Sequence, residues 1–102
     1  MTFDEIIQTA NEMQCMLKKD DCGSGYTLYL YGYGYLKTVM WVFPKAFNGA
    51  GSVSSTYHFP QKDSLEEFTK EEMIARISYV RTIEKREYIE RRKEDIEKDF
   101  DE

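Results

Sequence analysis

The chain has 102 residues, 41% hydrophobic and 15% aromatic, with a net charge of −5. This is enough apolar side chain for one globular domain with a modest core, which excludes a disordered chain. The acidic balance argues against nonspecific binding to nucleic acid or to an anionic membrane, and no apolar run approaches the roughly 18 residues that span a bilayer.

The stretch MTFDEIIQTANE has early acids and no basic segment, so it does not read as a secretory signal. A cytoplasmic protein with reduced Cys15 and Cys22 is expected. Charge is unevenly placed: residues 1–62 hold five acids and five bases, and residues 63–102 hold fourteen acids and nine bases.

Thr2-Phe3-Asp4-Glu5 fits a capping box, and Phe3, Ile6, Ile7, Ala10, Met13 and Leu17 follow at helical spacing. Lys18 and Lys19 suit a helix C-terminus, so the pattern predicts a helix over 3–19, stopped by Asp20-Asp21-Cys22-Gly23-Ser24-Gly25.

The run from Tyr26 to Pro44 is the densest in β-branched and aromatic residues. As one strand it would reach about 60 Å, too long for a domain of this size, so it must fold back at Gly32-Tyr33-Gly34. A three-residue loop pairs Leu30 with Leu36 and keeps the even-numbered aliphatic residues on one face. A two-residue loop would pair Leu30 with Lys37 and mix the faces. Keeping the aliphatic residues on one face selects the three-residue loop, with strands at 26–31 and 35–43. The outer face then carries Tyr29, Tyr31, Tyr35, Lys37, Val39, Trp41, Thr56 and His58. Residues 44–52 read as a loop, and alternation from Val53 to Phe59 predicts a third strand, ended by Pro60.

Two more capping boxes begin at Ser64 and Thr69, and Met73, Ile74, Ile77, Val80 and Ile83 give the last helix an apolar face. From Glu84 to Glu102, fifteen of nineteen residues are charged, too many for that stretch to pack along its length. A helix over 70–98 would be about 43 Å long and project past the domain. The expected architecture is α+β, in the order α-β-β-β-α. A three-stranded antiparallel sheet is covered on one face by helices, with a compact part over 1–83 and a charged helical extension over 84–102.

Two surfaces are candidates for binding a partner. Tyr29, Tyr31, Tyr35 and Trp41 are aromatic anchors of the type enriched at protein interfaces. Glu90, Glu94, Asp95, Glu97 and Asp99 form a carboxylate array suited to a basic groove. The element order matches double-stranded-RNA-binding domains, but Thr69-Lys70-Glu71-Glu72 puts acids where that family holds phosphate with lysines, so the resemblance stops at topology. By size, charge and element order the chain is similar in outline to some phage-encoded anti-CRISPR inhibitors that imitate DNA. That resemblance implies a protein partner, a nucleic-acid-binding enzyme with a basic groove.

His58 is the only histidine, and with Cys15 and Cys22 it forms no metal or nucleophile signature. No catalysis, metal or cofactor is expected, and no direct contact with nucleic acid or membrane. The expected function is that of a small acidic, non-enzymatic protein-binding module. The alternatives are a homo-oligomeric assembly protein joined through the last helix or sheet edges, and a small-molecule binder using the loop at 44–52. Tyr88, Ile89, Ile96 and Phe100 do not sustain the heptad of a long coiled coil.

Overall fold

The computed structural model describes the backbone of residues 1–20, 25–32, 35–45 and 49–100, and the side chains of these residues except 32, 35 and 93–100. The elements are helix α1 (Phe3–Glu12), strands β1 (Cys15–Lys19), β2 (Tyr26–Gly32), β3 (Tyr35–Phe43) and β4 (Ser52–Ser55), a 3-10 turn (Leu65–Glu67) and helix α2 (Lys70–Phe100). The strands form one antiparallel sheet in sequence order. The fold is therefore α+β with a long C-terminal helix, as expected, but with four strands rather than three.

The additional strand comes from the first predicted helix. The capping box forms, with Thr2 Oγ1 accepting from the Glu5 amide and the Glu5 carboxylate accepting from the Thr2 amide. The helix stops at Glu12 rather than Lys19. Gln14 takes a φ of 59°, the left-handed conformation that ends a helical run, and the next five residues pair with β2. Arg81 of α2 donates to the Met13 carbonyl, placing a cation at the C-terminus of α1.

The hairpin register also differs from expectation. Gly32 pairs with Tyr35 and Leu30 with Lys37, so only residues 33 and 34 lie between the strands. The mixing of faces that this register brings is limited by a β-bulge. Tyr29 pairs with Thr38 but Leu28 pairs with Met40, leaving Val39 as the extra residue. Val39, Met40 and Val42 are all buried with Leu28 and Leu30. Lys37 thus shares a face with the core, and Val39 belongs to the core rather than to the outer face. Leu36 faces outward, opposite Tyr31.

The strand expected over 53–59 is shorter. After Ser55 the chain leaves the sheet and packs on α2: Tyr57 and Phe59 meet the Tyr79 ring edge-on at 5.6 and 5.5 Å. Arg76 is buried between the rings of Phe59 and Phe68 and donates to the Pro60 carbonyl at 2.6 Å. Lys62 then returns to bridge Val53 along the edge of β4.

Both helices lie on the same side of the sheet. Ile6 and Ala10 of α1 and Met73, Ile77 and Val80 of α2 close over Leu28, Leu30, Val39, Met40, Val42 and Val53, with Phe68 and Leu65 at one end. Burying a side chain of this size contributes about 1.5–3 kcal/mol. The whole measures 61 × 28 × 23 Å, elongated by the 31-residue α2.

A candidate protein-docking face on the sheet

Cross-strand pairing orders the outer face into rows. Met16, Tyr29 and Thr38 form one row, Tyr31 and Leu36 the next, and Lys18, Thr27, Trp41 and Ser54 a third. Side chains directly opposite one another lie about 5 Å apart, so each row is a continuous strip. Tyr31 is 67% exposed, Met16 48% and Leu36 45%, while Tyr29 and Trp41 are half-buried. Thr27 is buried beneath its neighbours, its hydroxyl donating to Asp20. Among the described residues no helix covers this face. Its bases are Lys18 and, at the rim, Lys19, and beside them stands Asp20, whose carboxylate the Thr27 hydroxyl engages.

Of the four aromatic anchors read from the sequence, Tyr29, Tyr31 and Trp41 lie on this face. Tyr35 pairs with Gly32 at the hairpin end, and its side chain lies outside the described residues. Met16 and Leu36 were missed. Met16 falls within the helix predicted over 3–19, and Leu36 is even-numbered and changes face with the loop length.

The charged end of α2 is separate from this face. Glu90 is exposed, whereas the side chains of Glu94, Asp95, Glu97 and Asp99 lie outside the described residues. From Lys85 to Arg92 every side chain is exposed except Tyr88, which is half-buried.

One polar contact sits between the core and this end. Glu84 is only 3% exposed, and its carboxylate lies 3.5 Å from the ammonium of Lys37. Among the described residues neither carboxylate oxygen has a hydrogen-bond partner. Tyr57 raises the Lys37 pKa most; partial burial opposes the rise, and Glu84 and Glu87 add to it. The Tyr57 phenol is itself raised, first by burial.

A shallow depression between α1 and β1 is lined by Phe3, Ile7, Asn11, Cys15, Met16, Leu17 and Tyr26. Cys15 is buried there, and burial pushes its thiol pKa up. His58 is exposed beyond β4, at the opposite edge of the four-stranded sheet from β1, about 14 Å away by strand spacing. The structure therefore does not bring His58 and Cys15 together, and Cys22 lies outside the described residues. No group of three or more His, Cys, Asp or Glu side chains is placed to hold a metal ion among the described residues. No described helix is long and apolar enough to cross a membrane.

Fold and face together define a small α+β domain with one face of its sheet left open. Comparison of the chain with family models, curated proteins and solved structures finds no match.

Proposed function

We propose that this protein is a non-enzymatic protein-binding module and that the helix-free sheet face is its contact surface. The observation that carries the reading is the adjacency of Met16, Tyr29, Tyr31 and Leu36 on that face, three of them more than 40% exposed. Aromatic and Met side chains held on strands are rigid or adaptable anchors that lose little entropy on docking. Lys18 and Lys19, set against the single carboxylate of Asp20 that Thr27 already engages, favour a protein partner with an apolar centre bordered by carboxylates.

A more specific version makes the protein an inhibitor of the anti-CRISPR kind, occupying a nucleic-acid-binding enzyme. Its support is the sequence 94–102, which holds six acids and one base and could enter a basic groove.

The test is capture from host lysate with four forms of the protein: wild type, Tyr31→Ser, Leu36→Ser, and a form ending at Glu87, which keeps Glu84. Loss of a specific partner by at least tenfold in both face variants, with melting unchanged, supports the sheet face. Capture unchanged by both substitutions overturns it. Loss only in the shortened form moves the contact to the acidic end.

A further inference from the structure

The two edges of the sheet are finished differently. On the β4 side, the amide and carbonyl of Val53 are both taken by Lys62, so the chain closes that edge itself. β1 is the other edge, and among the described residues nothing pairs with its outer side. Which backbone groups it presents follows from one hydrogen bond. The Asp20 amide donates to the Gly25 carbonyl, in step with the β1–β2 register, so Asp20 turns its backbone toward β2. In an antiparallel pair, alternate residues exchange bonds with their partners and those between them point away. Met16 and Lys18 therefore bond to β2, and the amides and carbonyls of Cys15, Leu17 and Lys19 point outward. Such a row of donors and acceptors is a template for one more strand.

The side chains along this edge set what the added strand must carry. On the helix side, Phe3 and Ile7 of α1 join Leu17 and Tyr26 around the depression beside β1, whose lining holds no charged side chain. Ile7 is 37% exposed there. At the C-terminal end of the strand Lys18 and Lys19 are both exposed, and neither has an ion-pair partner among the described residues. The adjoining carboxylate, Asp20, is engaged by Thr27. A second copy of β1 is a poor occupant, because pairing the two edges gathers the lysines of both copies in one place. An acidic segment meets the same lysines with opposite charge.

We propose that β1 is a docking edge for an extended acidic segment of a partner protein, which joins the sheet as a further strand. The segment runs antiparallel, like every other pair in the sheet. Its residue opposite Leu17 turns to the helix side and enters the depression, and its residue opposite Met16 extends the apolar row on the open face. Those opposite Lys18 and Lys19 are carboxylates. Read from its N-terminus, the segment is two acids followed by two apolar residues. The edge adjoins the open sheet face but does not depend on it, since a strand held by β1 needs neither Tyr31 nor Leu36.

Selection of a random heptapeptide library, displayed on phage, against the full chain tests the proposal. Fluorescence polarisation then measures the most enriched peptide in synthetic, labelled form. Enriched sequences should carry the acid-acid-apolar-apolar order. Leu17→Pro removes an outward amide without touching a bond to β2, and should weaken binding at least tenfold. The pair Lys18→Glu with Lys19→Glu should do the same, and circular dichroism checks that each variant keeps its melting point. A further measurement uses only the native chain. N-methylation of the peptide at its first apolar residue, whose amide faces β1, should abolish binding, whereas N-methylation at the acid before it should leave affinity within twofold. A library that yields no enrichment, or enriched peptides without the acids, overturns the proposal. So does an equal loss at both methylated positions, or binding unchanged by reversal of the two lysines. Capture by the sheet face is read with other variants, so either reading can fail without the other.

Discussion

Glu84 places a carboxylate where the chain otherwise closes its core. A nearly buried carboxylate faces a half-exposed ammonium, and neither oxygen is hydrogen-bonded among the described residues. Removing only the cation leaves the carboxylate uncompensated, so Lys37→Met should destabilise the fold by about 2 kcal/mol, below the full cost of breaking a buried pair because Lys37 is partly in water. Lys37→Met combined with Glu84→Met should recover most of that loss. Urea unfolding of the two singles and the double checks this, and additive costs would show that the pair is not coupled. The Lys37 pKa is raised above its ordinary 10.5, so the ammonium's contribution is fully present at neutral pH. It is lost only as pH climbs through that raised value, and stability should fall in the alkaline range but not near neutrality.

Helix α1 is short and depends on its first turn. Thr2→Ala should cost about 1 kcal/mol, read as a lower urea midpoint with an unchanged slope. The hydrogen bonds from Thr2, the backbone one first, hold the Glu5 pKa below its ordinary 4.5. A depressed carboxylate stabilises above its unfolded pKa and is lost as pH falls through the folded one. Melting followed from neutral pH down to pH about 3 should therefore be less acid-sensitive in Thr2→Ala than in the native chain.

The beginning of α1 was legible in the sequence because a capping box is a local code. Its end was not, because Cys15-Met16-Leu17-Lys18-Lys19 contains good helix formers and no Gly or Pro. Pairing with β2 overrides that propensity. Likewise, Gly32-Tyr33-Gly34 marks the reversal but not its length, and the bulge at Val39 that reconciles a two-residue loop with a buried aliphatic face is set by long-range packing. Tyr29 and Tyr31 could be read as an outer face because alternation runs unbroken along β2, and Trp41 because the bulge at Val39 restores the expected parity beyond it. Leu36 could not, because the expected three-residue loop turns it inward, whereas the two-residue loop turns it outward.

On the scale of the whole molecule, charge and apolar surface are held apart. The sheet face is apolar with lysines at its rim, the body closes one core, and α2 carries most of the remaining charge. Because the side chains from Lys85 to Arg92 are exposed apart from half-buried Tyr88, the form ending at Glu87 should melt within about 4 °C of the full chain in dilute solution, where 1 kcal/mol corresponds to about 4–8 °C. A larger drop, measured by calorimetry, would mean that the outward half of α2 supports the body of its own chain.

Trp41 is the only tryptophan, and it stands half-buried on the open face beside Thr27 and Ser54. The protein therefore carries its own optical reporter at the point where a partner would land. Docking that excludes water from the indole shifts its emission to shorter wavelength and shields it from iodide quenching. One unlabelled titration thus reports directly whether the sheet face is the surface a partner occupies.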